Sequence, residues 1–377
     1  MSAGRCLLFV VNNPAFFMSH RVPVALAAQK AGYDVHVATM DGPAVADIQA
    51  LGMTHHAIPM TRSGKHPLQE LGTLLALVRL FRRLRPDVVH LVTIKPVLYG
   101  GIAARIARVP GMVAAISGLG FVFLSNSLKM RLVRAVVARL YRVALGHPNS
   151  RVIFQNANDR DLLKSLGAVR EDQVVIIRGA GVDLDAYRPT PEPPEPPVIV
   201  TMVARLLRDK GVQEFVQAAK LLRERGVPVT MQLVGGLDAG NPTSATQADV
   251  DAWQQDGCVQ ALGERSDVAA LYAAAHIAVL PSYREGLPKS LIEAAASGRA
   301  VVTTDVPGCR DAIEPNVTGL LVPVRDAAAL ADAIARLAQD AASRQAMGTA
   351  GRALAEREFD INQVARIHVA LYDALSA

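Results

Sequence analysis

Cysteine, aromatic residues and long hydrophobic runs are all scarce in this 377-residue chain, and each shortage removes a class of protein. The three cysteines, Cys6, Cys258 and Cys309, are far apart and form no Cys-x-x-Cys pair. Neither a disulfide framework nor a cysteine zinc site is indicated, and a reducing compartment fits. Aromatics make up only 5% of the residues and do not interleave with the basic ones, so the stacking platforms of a nucleic-acid binder are missing. The longest uncharged stretch, residues 109–128, carries Pro110, Gly111, Gly118, Gly120 and three serines. It reads as a strand followed by a glycine loop, not as a membrane span. The apolar run at residues 6–11 stops at Asn12-Asn13-Pro14 and is too short for a signal peptide.

What is present is a folded composition: 51% apolar and 20% charged residues, in a length that predicts two domains. The formal charge of +6 is unevenly spread. Residues 1–190 hold 23 Lys/Arg against 11 Asp/Glu, net +12, and residues 191–377 hold 17 against 23, net −6. A basic half of this size suits an anionic surface, and a membrane fits it better than nucleic acid because of the missing aromatics.

Six prolines fall within residues 188–197, which excludes helix or central strand and predicts an extended linker. Before it, short β-branched runs (5–11, 34–39, 87–92, 112–116) alternate with helical patterns (19–31, 67–84, 98–107). After it the same rhythm restarts at residue 198. That alternation predicts an α/β protein with two Rossmann-like, doubly wound domains, residues 1–187 and 198–358. Ligands of such sheets bind beyond the carboxyl ends of the strands, so a cleft between the two domains is expected. Residues 327–377 read as helical, with a final helix near 361–376 expected to return to the first domain. On a further predicted helix, residues 129–145, Arg131, Arg134, Arg139 and Arg142 share an arc of about 140° at 100° per residue, a candidate membrane-facing surface.

The stretch 281–304, PSYREGLPKSLIEAAASGRAVVTT, reads strand end, turn, helix and next strand, with Gly298 closing the helix. Backbone N–H groups at Ser290 and Leu291 are predicted to be available for a phosphate at the helix N-terminus. Glu293 has two readings: a capping box with Ser290, or a carboxylate accepting from the two hydroxyls of a ribose. Arg205 and Lys210, five apart after the first strand of the second domain, can converge on a diphosphate as a fork and a point charge. Asp-x-Asp occurs at Asp159/Asp161, Asp183/Asp185 and Asp249/Asp251; helix capping or solvation is the reading favoured over a metal bridge at each.

Taken together, Glu285 and Glu293 with Gly286, Pro288 and Ala294, preceded by Arg205 and Lys210, resemble the retaining glycosyltransferases of family 4, which have the GT-B fold. His20-Arg21-Val22-Pro23, Lys95-Pro96, Ser117-Gly118-Leu119-Gly120, Gly181-Val182-Asp183 and Pro307 to Arg310 extend the resemblance over nearly the whole chain. It is especially similar to bacterial enzymes that extend undecaprenyl-diphosphate-linked sugars in polysaccharide assembly. The resemblance implies a UDP-sugar donor, a hexose or hexosamine moved with retention to a polyprenyl-diphosphate-linked acceptor, no metal or other cofactor, and peripheral attachment at the cytoplasmic face of the membrane. It implies Arg205 and Lys210 at the diphosphate, Glu293 at the ribose, Glu285 at the donor sugar, with Gly286 beside it, and Gly263 by the uracil. In the first domain it implies Lys95 and His20 as catalytic candidates and Asn13, Ser117, Gly118 and Gly120 as substrate-binding ones. Some relatives carry a histidine where Ile94 stands here, which leaves His20 as the replacement candidate for a base. Other readings of the same architecture are a nucleotide-sugar epimerase or phosphorylase and a catalytically silent sugar-nucleotide-binding partner.

Overall fold

The computed structural model describes residues 4–60, 67–119, 128–238 and 240–376. Each β-branched run becomes a parallel strand buried on both faces, as expected when helices cover a sheet from both sides. In β1 (Arg5–Val11) the alternation is explicit: Leu8 and Val10 enter one apolar cluster, whereas Leu7, Phe9 and Val11 enter the other. The chain divides into two compact units, residues 4–180 with 362–376, and residues 181–361.

The first unit continues with α1 (Pro14–His20), α2 (Val22–Lys30), β2 (Tyr33–Thr39), α3 (Val45–Ala50), β3 (Thr54–Ala57), α4 (Pro67–Leu84), β4 (Val88–Val92), α5 (Gly101–Ala107), β5 (Gly111–Ile116), α6 (Leu128–Leu145), β6 (Ser150–Phe154), α7 (Ala157–Ser165) and β7 (Val174–Ile176). Its sheet runs β3-β2-β1-β4-β5-β6-β7, all parallel. The second unit contains β8 (Val198–Val203), α8 (Val212–Glu224), β9 (Val229–Val234), α9 (Gln247–Asp256), β10 (Gln260–Gly263), α10 (Val268–Ala273), β11 (Ile277–Leu280), α11 (Lys289–Ala296), β12 (Ala300–Thr304), β13 (Gly319–Val322), α12 (Ala327–Gln339) and α13 (Ala341–Glu358). Its order is β10-β9-β8-β11-β12-β13. In both sheets the winding reverses beside the first strand, at β1/β4 and β8/β11. The carboxyl edge at such a reversal is where ligands of open α/β sheets bind.

Several expectations change. The single helix expected over 19–31 is two, broken at Arg21, because Pro23 has no N–H to return to the preceding turn. Strands β3, β6, β7, β10 and β13 and helices α3 and α9 were not anticipated; β3 and β10 are edge strands with partly exposed, weakly patterned sequences. The proline segment 188–197, expected as the linker, belongs to the second unit, whose boundary falls after Ala180. Buried Arg344 binds Glu192 at 2.9 Å and Glu195 at 2.8 Å, and Arg299 donates to Thr190 Oγ1 at 2.6 Å, so the segment is docked along its length.

The last helix, α14 (Ile361–Ser376), packs from residue 362 onward with the first unit. Arg5 pairs with Asp373 at 2.7 Å, and the Tyr372 hydroxyl lies 2.6 Å from His90 Nδ1 in the core between helix and sheet. His368 is sealed in the same place, its Nδ1 donating to the Val364 carbonyl at 2.8 Å. Burial, reinforced by the Arg21 charge, holds the His368 imidazole down to about 3 from the usual 6.5. The unfolded chain therefore takes up a proton near pH 6.5 that folded His368 refuses, and stability falls as the pH drops through that window. Replacing His368 with Asn, which keeps a donor for Val364, is expected to make the melting temperature fall less steeply on acidification below pH 6.5. Melting curves by circular dichroism check this; equal pH slopes for the two proteins would contradict it.

Candidate active site

In the second unit, two loops leave the sheet at the β8/β11 reversal and are bound to each other before any ligand is considered. The loop after β8 carries Arg205, Asp209 and Lys210; the loop after β11 carries Ser282 and Glu285. The Asp209 carbonyl accepts from the Tyr283 N–H at 2.8 Å and from Ser282 Oγ at 2.9 Å. Gly211, at φ +75°, lies so near Pro281 that a Cβ there would sit 2.1 Å from the Pro281 carbonyl oxygen, so only glycine fits. This stitching brings Lys210 Nζ onto Glu285 Oε1, which also lies 2.7 Å from Ser282 Oγ and shares that hydroxyl's single proton with the Asp209 carbonyl. Glu285 Oε2 has no hydrogen-bond partner among the described residues. Arg205 pairs with buried Asp238 at 2.5 Å while half of its own side chain stays exposed. Burial raises the Asp209 carboxyl above its ordinary range and pushes the Tyr283 hydroxyl, bonded to Glu214, to about 12.

Helix α11 starts at Pro288 with no side-chain cap. The Leu291 N–H, expected to be available, is taken up by the Pro288 carbonyl at 3.2 Å. Those of Lys289 and Ser290 have no acceptor among the described residues, the usual state of a first helical turn. The capping box between Ser290 and Glu293 does not form. Instead Glu293 Oε1 accepts from the Tyr187 hydroxyl at 2.8 Å and forms an ion pair with Lys289 Nζ at 3.0 Å, leaving Oε2 without a partner among the described residues. Burial, followed by the Glu293 charge, drives the Tyr187 hydroxyl well up, so it stays a donor. Gly286 lies in the turn against Gly308, where an added Cβ would meet the Glu285 carbonyl at 2.5 Å. Gly263 ends β10 at φ +68° with open space on the side a Cβ would occupy.

The first-unit candidates are less concentrated. Asn13 caps α1, accepting from the Ala15 N–H at 2.8 Å. His20 ends that helix rather than starting one; its ring stacks on Phe16 and its Nδ1 lies 2.6 Å from Ser19 Oγ. Lys95 forms an ion pair of 2.7 Å with Glu70 of α4. Ser117 and Gly118 follow β5, Gly118 at φ +106°; Gly120 lies outside the described residues. Thr93, after β4, has φ +74°, a strained value for a β-branched residue, and both its hydroxyl and that of Ser117 are buried without a partner among the described residues. Two unsatisfied hydroxyls beyond neighbouring strands, one on a strained residue, could bond a polar ligand there. Arg131 and Arg134 lie on α6, their side chains outside the described part. Arg139 is exposed, but Arg142 donates to the Leu166 carbonyl at 2.6 Å and is not a free surface charge. On the same helix Val136 is about half exposed.

The three Asp-x-Asp pairs serve the backbone or neighbouring side chains. Asp159 sits in the first turn of α7, Asp183 accepts from the N–H groups of Asp185 and Ala186, and Asp249 closes a capping box with Thr246. Among the described residues no group of three or more His, Cys, Asp or Glu side chains is arranged to hold a metal ion.

Comparison with known proteins bears on both units. A family model described as glycosyl transferase 4-like matches residues 6–156, and one described as glycosyl transferases group 1 matches residues 197–340. The chain is 30% identical, over 97% of each sequence, to the N,N'-diacetylbacillosaminyl-diphospho-undecaprenol alpha-1,3-N-acetylgalactosaminyltransferase of Campylobacter jejuni. The chain belongs to this glycosyltransferase family.

A second member, the UDP-Gal:alpha-D-GlcNAc-diphosphoundecaprenol alpha-1,3-galactosyltransferase of Escherichia coli, is 25% identical over 72% of each chain. Among solved structures, Anabaena HepE in complex with UDP and glucose superimposes with a TM-score of 0.76 at 20% identity, covering 98% of this chain and 99% of that one. The glycosyltransferase thus has the GT-B fold, two Rossmann-like sheets in one chain. Sequence reading missed Ser282, Asp238 and Tyr187, which orient the charged residues of this glycosyltransferase, and Thr93. Asp238 and Tyr187 gain their roles through partners 33 and 106 residues away, Ser282 through the packing of its loop on Asp209, and Thr93 through a backbone conformation that its residue type does not announce.

Replacing Thr93 with Gly relieves the backbone and deletes the hydroxyl. Stability is expected to stay within about 1 kcal/mol of the parent, the relief offsetting the entropy of glycine, while transfer activity falls. Urea unfolding and a turnover assay check the two parts; loss of stability with unchanged activity would contradict them.

Proposed function

We propose that this glycosyltransferase moves a hexose or hexosamine from a UDP-sugar to a polyprenyl-diphosphate-linked sugar, with retention, at the inner face of the membrane. The observation that carries the reading is the pair of carboxylates, Glu285 and Glu293, each with one oxygen occupied by a lysine and one left open, beside an uncapped helix start. Lys210 and Arg205 supply cationic donors for a diphosphate, whose negative charge grows as the sugar leaves; the N–H groups of Lys289 and Ser290 add the helix dipole. The open Oε2 of Glu293 suits ribose hydroxyls, and that of Glu285 suits a hydroxyl of the donor sugar. Uracil would lie by Gly263, where no side chain intrudes.

In the reaction, the bond from the anomeric carbon to the diphosphate oxygen breaks and a bond to the acceptor hydroxyl oxygen forms on the same face. The acceptor proton passes to the departing phosphate, so no enzymic base is required, consistent with His20 ending a helix beside Phe16. The two relatives are named as α-1,3-transferases acting on diphosphoundecaprenol-linked sugars, which supports a lipid-linked acceptor here. A metal-independent donor site is part of the proposal. The basic first unit suits an anionic membrane, and among the described residues no helix is long and apolar enough to cross one.

Thermal melts in EDTA with UDP, GDP, ADP or no nucleotide test the donor site. UDP at about 100 times its Kd adds about 2.7 kcal/mol and should raise the melting temperature, with Glu293→Ala and Arg205→Ala losing the response. A shift only with added metal, or none with UDP, would overturn the donor assignment. Transfer to a synthetic polyprenyl-diphosphate sugar tests the acceptor. UDP binding without turnover on any such acceptor would favour a silent binding partner.

A further inference from the structure

Helix α4 is apolar beyond the side that it turns to the core. Leu77, Val78, Leu80 and Phe81 pack into the core of the first unit, as a sheet-covering helix requires. Beyond it Leu68, Leu71 and Leu75 are 83%, 51% and 45% exposed, the largest such run of exposed leucines among the described residues. At 100° per residue these three fall within an arc of about 60°, and Arg79, Arg82 and Arg83 continue on or beside it toward the helix end. All three arginines are exposed, and none has an ion-pair partner among the described residues. The outer face is thus divided lengthwise, leucines over the first two turns and cations over the last two, roughly 20 Å from end to end at 1.5 Å per residue.

A core-facing helix has no folding reason to present leucines to water as well. The division matches a helix lying in a bilayer interface, where leucines enter the acyl boundary and guanidinium groups meet lipid phosphates. We infer that the outer face of α4 is the surface by which this enzyme docks on anionic phospholipid, with Leu68, Leu71 and Leu75 inserted. This rests on the reading that the acceptor is lipid-linked, and it moves the docking surface from α6, where Arg142 is already bonded to the Leu166 carbonyl. An anionic bilayer is favoured over a second protein because the leucine run ends in three charges of one sign, unpaired among the described residues, which two copies of this face would bring together.

Cosedimentation of the full chain with mixed phosphatidylcholine and phosphatidylglycerol vesicles tests the inference, with pure phosphatidylcholine for comparison. The wild type is expected to bind the mixed vesicles, more weakly at high salt. Leu68→Ser/Leu71→Ser/Leu75→Ser should lower the partition coefficient by about tenfold or more, equivalent to at least about 1.4 kcal/mol. Arg79→Gln/Arg82→Gln/Arg83→Gln should remove most of the salt dependence, whereas Arg139→Gln on α6 should change little. The melting temperature and its UDP response control for folding, because all the substituted side chains point outward. They also separate the two readings, since the serine variant should keep its UDP response. Wild-type failure to bind, unchanged binding of the serine variant, or a dimer that the serines convert to monomer would each overturn the inference.

Discussion

The candidate site of the second unit depends on one close approach, that of Gly211 to the Pro281 carbonyl. Any side chain at that position would drive a Cβ to 2.1 Å from the oxygen, separating the loops that follow β8 and β11. With glycine there, the Asp209 carbonyl can receive both the Ser282 hydroxyl and the Tyr283 N–H. Lys210 and Glu285, 75 residues apart, then become an ion pair. The sheet supplies the remaining precision, because β8 and β11 are hydrogen-bonded neighbours at the point where the winding reverses.

The electrostatic consequence is a site in which each cation is already held by a carboxylate: Lys210 by Glu285, Arg205 by Asp238 and Lys289 by Glu293. Pairing fixes the geometry of flexible side chains before a ligand arrives, which lowers the ordering cost of binding. In the proposed donor site it would also make Lys210 a shared resource, since a diphosphate would compete with Glu285 for it. A lysine is suited to that exchange because its ammonium is a compact point charge on a flexible stem, whereas a bidentate arginine would be harder to release.

Much of this was legible in the sequence because it rests on local rules. The strand–turn–helix reading of residues 281–304 and the loop cations at 205 and 210 follow from periodicity and turn chemistry. Other features were not legible, for identifiable reasons. Pro23 divided a helix whose hydrophobic pattern runs on unbroken. The proline run at 188–197 looked like a spacer because its partners, Arg299 and Arg344, lie more than a hundred residues away. Glu293 fits a Ser-x-x-Glu capping pattern equally well on paper; Tyr187 and Lys289 decide against it in three dimensions. The arginine arc on α6 was visible as a pattern, but only coordinates show Arg142 committed to a carbonyl and the leucines of α4 facing outward.

The central claim is that Lys210 is shared between Glu285 and the donor diphosphate. Isothermal titration of UDP into the wild type, Lys210→Met and Glu285→Gln tests it most directly. Binding should weaken by about tenfold or more in Lys210→Met, the loss of one charge-assisted contact. Glu285→Gln should bind UDP at least as tightly as the wild type, because the competing carboxylate is gone, while transferring no sugar. If Glu285→Gln instead loses UDP binding as severely as Lys210→Met, Lys210 is not handed from carboxylate to phosphate, and the account of the site is wrong.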